Sequence, residues 1–365
     1  MVKKLFLLDA MALIYRAYYA LIRTPRLTSK GRNTNAQFGF TSTLIDIINK
    51  EKPTHLAVCF DTDAATERHA DFAEYKANRQ AAPEDLTGSL DDIKKIIKAF
   101  NIPVVELDGY EADDVIGTLA WQAADKGYEV FMVTPDKDYG QLLIHPGVYI
   151  YKPPYMGNRE EILDAKKITE KWCIERVEQV VDMLGLMGDA VDNIPGIAGV
   201  GEKTACKLLK EYGTLEGVLE HADEIKGALG EKIRNGREAA IMSKKLARII
   251  TDVPVQFHEE DYRLKEWNVP ELKDLFAELE FKAMGKRILG DEFNVFEKVA
   301  TTPSGGQMDL FVTVEEGKTI DVQVADISEP AEIVGINADK NINNTPHNYI
   351  LVTGEQKIKD LVNEL

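Results

Sequence analysis

A set of carboxylates recurs along this chain at places where they can act together. Asp9, Asp61 and Asp136 each stand just beyond a short apolar run, and Asp138 follows Asp136 by two residues. The stretch Asp108-Gly-Tyr-Glu-Ala-Asp-Asp114 puts Glu111, Asp113 and Asp114 at the opening of a helical pattern. A second pair, Asp189 and Asp192, lies in the later stretch GDAVDNIPG. One aspartate after a strand is an ordinary turn or cap residue, and acids in a first helical turn suit the helix dipole. Capping does not explain three strand ends and a helix start of the same kind. Converging carboxylates repel one another unless cations lie between them, and oxygen ligands without His or Cys suit Mg²⁺ or Mn²⁺. Two such ions can activate a water and stabilise the attacking and leaving oxygens of phosphodiester cleavage.

What must position these acids is a set of parallel strands. Residues 4–8, 55–60, 103–107 and 129–133 are short apolar runs of buried-strand type. Helical patterns separate them, such as Leu90, Ile93, Ile96, Ile97 and Phe100 on one face. Strands alternating with helices imply an α/β fold with a parallel, doubly wound sheet, whose ligand sites form beyond the carboxyl ends of its strands. Residues 168–293 lack convincing strands and read as helices. The expected organisation is an α/β catalytic domain over residues 1–170, a helical domain over 171–293 and a flexible linker over 294–318. An incomplete further unit over 319–365 follows, with strand-like runs at 319–325 and 349–353.

Residues 196–204, Gly-Ile-Ala-Gly-Val-Gly-Glu-Lys-Thr, approach a phosphate-binding P-loop. Glu202 breaks the spacing and Asp192-Asn-Ile-Pro195 ahead of it is not a strand, so nucleotide binding is rejected. Helices over 177–185 and 203–212 around the glycine turn instead make a helix-hairpin-helix-type unit. Gly199, Gly201, Lys203 and Thr204 at such a turn and helix start suit a DNA phosphate without reading sequence. The plain alternative is a tight turn between packed helices. A K⁺ ion on the hairpin carbonyls is compatible with such a turn, although nothing in the sequence marks it. Arg68, Tyr75, Lys76 and Arg79 fall in a polar segment reaching Pro83. Their charges attract phosphates and Tyr75 suits stacking on an unpaired base, although a solvated surface helix would read the same way.

The bulk numbers bound these readings. At 365 residues, 44% hydrophobic and 29% charged, the chain has the composition of a soluble globular protein of two or three domains. No apolar run reaches the roughly 18–20 residues of a membrane span, and Asp9 interrupts the N-terminal run before a signal peptide forms. Cys59, Cys173 and Cys206 are odd in number and lack metal-ligand spacing, which reads as reduced thiols of a cytosolic protein. The net charge of −17 is opposite to that expected of a DNA-binding surface. Residues 301–365 hold 4 Lys/Arg against 11 Asp/Glu, and most of the remaining excess is the acidic cluster itself. Net charge therefore neither supports nor excludes nucleic acid.

The stretches LLDAMALIYRAYYA, AVCFDTDAATERHADFAEYKANRQAAPEDL, GYEADDVIGTLA, TPDKDYGQLL and LMGDAVDNIPGIAGVGEKTACKLL, in this order over residues 1–290, resemble the flap-endonuclease family. The likeness is to the form that family takes in the N-terminal 5′-nuclease domain of bacterial DNA polymerase I. The resemblance implies a PIN-like parallel sheet flanked by helices, a helical arch over the site, and a helical domain with a helix-hairpin-helix-type motif. It implies that Asp9, Asp61, Glu111, Asp113, Asp114, Asp136, Asp138, Asp189 and Asp192 all serve two or more Mg²⁺ or Mn²⁺ ions. Arg68, Lys76 and Arg79 would lie in the arch, through which a single-stranded 5′ end passes, with Lys76 positioning the scissile phosphate. Lys76, Arg68 and Asp113 would be catalytic, and Arg16 and Tyr75 would join the arch residues on DNA. The implied activity is 5′-3′ exonuclease and flap endonuclease action on 5′ flaps, nicks and RNA primers in replication and repair.

This chain departs from the family at Pro135, where a glycine is usual, and at Ala190-Val191, where small polar residues are usual. Residues 319–365 resemble the start of a 3′-5′ exonuclease-like domain without that domain's acidic motif. Gln307-Met-Asp-Leu-Phe311 is similar to the peptide by which bacterial replication proteins bind the sliding clamp, with Gln307, Leu310 and Phe311 as its contacts.

Overall fold

The computed structural model describes residues 2–155 and 157–295. The clamp-like string and the unit expected over 319–365 lie outside the described residues. Those described fall in one compact unit, Met1–Thr301, and none of their helices is long and apolar enough to cross a membrane.

Six strands form one sheet: β1 (Lys4–Asp9), β2 (His55–Cys59), β3 (Val104–Val105), β4 (Glu129–Val133), β5 (Val148–Lys152) and β6 (Glu161–Leu163), in the order β3-β2-β1-β4-β5-β6. All neighbours are parallel except β5 and β6, which are antiparallel. The expected doubly wound sheet is present with two differences. The run at 103–107 yields only the two residues of β3, at an edge, and β5 and β6 were not anticipated. Their sequences, Val-Tyr-Ile-Tyr-Lys and Glu-Ile-Leu, are short and partly polar, so the apolar-run criterion passes over them.

Burial explains why β1 reads as an unbroken apolar run. Leu5 and Leu7 face one core, with Ala57, Cys59, Val130 and Met132, and Phe6 and Leu8 face the other, with Leu56, Val58, Phe131 and Val133. The period of two thus feeds two cores, and neither face of the central strands meets water. The helix Ala112–Asp125 covers the first face. The helices Ala10–Ala20, Asn35–Glu51, Leu90–Ala99 and Val269–Glu278 cover the second.

Beyond β6 the described chain is helical. The expected hairpin pair appears as Gln179–Met187 and Glu202–Tyr212. Residues 188–196 between them close as a loop with an Asp189–Ile194 bridge. Glycine is required at both its ends: φ is +72° at Gly188 and +58° at Gly196. A Cβ on Gly196 would stand 2.3 Å from the Gly188 nitrogen.

Candidate metal centre

The carboxyl ends of β1, β2 and β4 deliver their acids to one edge of the sheet. Asp9 closes β1 and caps the helix that follows, its Oδ1 accepting from the Ala12 amide at 3.1 Å. Its Oδ2 accepts from Thr134 Oγ1 at 3.0 Å and from the Tyr139 hydroxyl at 3.3 Å, which ties β1 to the segment after β4. Asp61, two residues beyond β2, accepts the Ala112 amide at 2.9 Å. That contact fixes the start of the helix carrying Asp113 and Asp114 beside the end of β2. Glu111 caps the same helix in a capping box with Asp114. Asp136 accepts the Asp138 amide at 2.9 Å, holding the two acids of the Asp-Lys-Asp turn together.

Asp189 and Asp192, which spacing in the sequence left unassigned, come to the same edge. Lys137, between Asp136 and Asp138, reaches Asp189 Oδ2 at 3.0 Å. The fully buried Tyr139 gathers the set: desolvation pushes its hydroxyl well up, and Asp9, Asp113, Asp136 and Asp61 reinforce the shift. Acids from four separate segments therefore bear on one buried side chain, which touches Asp9 directly.

The electrostatics are those of crowded, dehydrated carboxylates. Desolvation, with repulsion from Asp61 and Asp136, raises Asp9 to about 7. Desolvation and then Asp114 raise Asp113 well above the carboxylate range, and desolvation and then Asp136 do the same to Asp138. Asp113 Oδ1 and Asp138 Oδ1 are buried without a hydrogen-bond partner. Such an atom costs about 1–3 kcal/mol, more when charged, unless something occupies its lone pairs. Among the described residues no three acids surround one point in ligating geometry. The orphaned oxygens and the all-oxygen donor set nonetheless fit a hard divalent cation.

Basic side chains from residues 61–83 occupy part of the cluster. Arg68 Nη1 and Nη2 bind both oxygens of Asp114 at 2.8 and 2.7 Å. The Arg68 Nε and Nη2 also donate to the carbonyls of Leu246 and Arg248 at 3.0 and 2.8 Å. Lys76 Nζ lies 2.8 Å from Glu111 Oε2, which also accepts from the Tyr75 hydroxyl at 3.1 Å. Burial opposes the charge of Lys76, but Glu111, Asp192 and Asp113 outweigh it and raise the amine. Arg79 pairs with Asp192, and the Lys76 amide donates to the Asp192 carbonyl at 3.0 Å. Glu111, Asp114, Asp189 and Asp192 are thus in ion pairs. No ion pair is recorded among the described residues for Asp9, Asp61, Asp113, Asp136 and Asp138.

Four expected roles change in this conformation. Arg68 was expected on DNA, but it is 6% exposed and its donors are committed to Asp114 and two carbonyls. Asp114 was expected on a metal, but it is fully buried and also accepts from the Ile250 amide at 2.8 Å. Tyr75 was expected to stack on a base, but its ring is buried and its hydroxyl is on Glu111. Arg16 donates to the carbonyls of Pro153 and Pro154 at 3.1 and 2.8 Å and lies over the Tyr155 ring, so it braces the loop after β5. The expected arch helix is short, Glu67–Asp71, and the chain then turns to the acids. Sequence reading missed Tyr139, Thr134 and Lys137. All three lie in TPDKDYGQLL beside the acids that were singled out, but a tyrosine after a turn carries no sign of burial.

At the hairpin, the helix Glu202–Tyr212 starts without a side-chain cap, next to exposed Gly201 and Lys203. The Gly199 carbonyl lies 3.5 Å from Lys232 Nζ, and Thr204 is half-buried.

Comparison with known proteins gives a consistent picture. Residues 4–173 match the family model described as 5′-3′ exonuclease, N-terminal resolvase-like domain, and residues 175–270 match 5′-3′ exonuclease, C-terminal SAM fold. DNA polymerase I of Caldicellulosiruptor bescii is 39% identical over 298 residues, 81% of this chain and 35% of that protein. DNA polymerase I of Bacillus caldotenax is 43% identical over 290 residues, 78% of this chain and 32% of that protein. The chain spans about a third of the length of these relatives. Among solved structures, the bacteriophage T5 5′-exonuclease with bound zinc aligns with a TM-score of 0.58 at 21% identity, covering 68% of this chain and 90% of that one. The catalytic core of Rad2 in complex with DNA substrate aligns with a TM-score of 0.51 at 14% identity, covering 79% and 92%. These two likenesses concern the fold.

Proposed function

The chain belongs to the 5′-3′ exonuclease family, and on that premise we propose that it is a divalent-metal-dependent nuclease acting at 5′ ends and 5′ flaps of DNA. The observation that carries this reading is the delivery of Asp9, Asp61, Asp136 and the Glu111 helix start to one sheet edge, with orphaned carboxylate oxygens on Asp113 and Asp138. Asp9, Asp61, Asp113, Asp136 and Asp138 are the residues that would hold two or more Mg²⁺ or Mn²⁺ ions, joined by Glu111, Asp189 and Asp192 once their basic partners exchange. Ions held there would supply an activated water and charge neutralisation for phosphodiester hydrolysis.

The chain's own residues supply the rest. Arg68 fixes Asp114, and Asp114 fixes the Glu111 amide and the Ile250 amide, so the acidic helix start is rigid before substrate arrives. Lys76, held near the cluster by Glu111, is the group that exchanges its carboxylate for the scissile phosphate, with Arg79 on the neighbouring phosphate. The amides and side chains at Gly199, Gly201, Lys203 and Thr204 bind the duplex backbone, and the hairpin carbonyls take a K⁺ ion. Flap, nick and RNA-primer removal beside a polymerase, and docking of Gln307, Leu310 and Phe311 on a sliding clamp, extend the same reading to the longer relatives.

The test is cleavage of a 5′-flap duplex in Mg²⁺ by wild type, Asp113→Ala and Lys76→Ala. Wild type should cut near the junction, and Asp113→Ala should lose at least ~10³-fold in rate while duplex binding persists. A wild type that binds the flap and never cuts it would overturn the proposal.

A further inference from the structure

Cys173 and Cys206 are 33 residues apart in sequence and meet in the fold. Cys173 ends the helix Ala165–Trp172 in the left-handed conformation, φ 58°, and this turn brings its side chain against the helix Glu202–Tyr212. Cys206 Sγ donates to the Cys173 carbonyl at 3.1 Å, which places the Cys206 thiol against the residue that carries the other thiol. Lys210, one turn further along the same helix, places Nζ 3.1 Å from Cys173 Sγ. Cys173 is exposed and Cys206 is buried. A buried cysteine alone is a small apolar side chain. An exposed thiol that faces a second thiol and an ammonium group is the arrangement of a reactive pair.

We propose that Cys173 and Cys206 are a dithiol closed to an intramolecular disulfide by small-molecule disulfides, with Cys173 as the attacking thiol and Lys210 as the group that activates it. In the first step Cys173 gives up its proton and its sulfur attacks one sulfur of R–S–S–R. A mixed disulfide forms on Cys173, and the other half leaves as RS⁻ and takes the proton. In the second step Cys206 loses its proton and attacks Cys173 Sγ. The protein disulfide forms and the second RS⁻ leaves and is protonated. Two protein thiols are oxidised and one small disulfide is reduced to two thiols.

The electrostatics match this order. Hydrogen bonds from Cys206 and then Lys210 lower Cys173, so it holds the thiolate first. Burial raises Cys206, which suits a thiol that reacts only once a mixed disulfide lies beside it. Cys59, fully buried in the sheet and raised by desolvation, is an internal control that stays reduced. The bond would link the exit of a helix packed on the 3₁₀ helix Asp138–Ile144 to the helix that follows the glycine hairpin. It therefore ties the acidic edge to the hairpin.

The experiment incubates the full chain with oxidised glutathione, blocks residual thiols by alkylation, and maps tryptic peptides without reduction. Residues 172–176 and 204–207 should appear as one linked peptide that dithiothreitol separates, with Cys59 alkylated only after unfolding. In Cys206→Ser the mixed disulfide should accumulate on Cys173, and in Lys210→Met its formation should slow by about threefold or more. Circular dichroism of both variants excludes misfolding as the cause. Glutathione remaining on wild-type Cys173 with no linked peptide would overturn the proposal. So would a link found only between two molecules, or an unchanged rate in Lys210→Met.

Discussion

At the scale of single residues, the cluster divides into acids neutralised by the protein and acids left to repel. Asp9 shows the consequence. Its carboxyl is raised to about 7 by desolvation and by Asp61, while in an unfolded chain it titrates at about 3.9. Between those values the native state binds the proton more tightly, so this group's contribution to stability falls as pH rises. Metal-free protein should lose stability from about pH 4 to pH 7, and Asp9→Asn should flatten that slope in urea titrations across the range. A slope unaltered by the substitution would refute the assignment. Arg68 sits on the other side of the division. Removing it strands Asp114, and Arg68→Ala should cost about 3–5 kcal/mol in urea unfolding, whereas Arg68→Lys, which keeps a positive charge beside Asp114, should cost less. Equal destabilisation by the two variants would argue that packing, not charge, is at stake.

At the scale of elements, two loops depend on local backbone chemistry to bring distant acids to the sheet edge. The loop over residues 188–196 closes through glycines at positive φ, and its Asp189–Ile194 bridge orients Asp189 toward Lys137. Gly196→Ala is strained in both dihedral and space. It should destabilise the protein by more than about 1 kcal/mol and weaken Mn²⁺ binding measured by calorimetry, because Asp189 and Asp192 move together. Retained Mn²⁺ affinity in a destabilised variant would separate this loop from the metal centre. The segment over residues 61–83 does the opposite work. It brings Arg68, Tyr75, Lys76 and Arg79 onto the acids, where each would otherwise face solvent. None of its pairings follows a helical spacing, which is why sequence reading treated the segment as a basic surface.

At the scale of the molecule, the proportions of the relatives matter. The chain spans about a third of DNA polymerase I from Caldicellulosiruptor bescii, so the region matched to the 5′-3′ exonuclease family is the part of that longer plan described here. The string Gln307-Met-Asp-Leu-Phe311 follows the region matched to the 5′-3′ exonuclease family, and an apolar pair in an acidic stretch costs solubility unless it docks. A peptide of residues 303–315 should bind purified bacterial sliding clamp in fluorescence polarisation, and Leu310→Ala with Phe311→Ala should abolish that binding. No binding by the unaltered peptide at high concentration would remove the clamp from the proposal.

The sequence alone determined the central parallel strands and the acids that stand just beyond them, for a physical reason. A strand buried on both faces must be apolar along its length, so β1, β2 and β4 stand out as runs and the acid beyond each marks its carboxyl end. The helix start at Glu111 was equally legible, because caps and first-turn acids are local. Tertiary structure decided what no local rule carries. It brought Asp189 to Lys137 and Arg68 to Asp114, across 52 and 46 positions of the numbering. It made Tyr139 a buried hub, and it set Cys173 beside Cys206 and Lys210. Charge pairing and desolvation act through space, so a residue's partner, and with it the role its charge can play, is fixed only when the chain has folded.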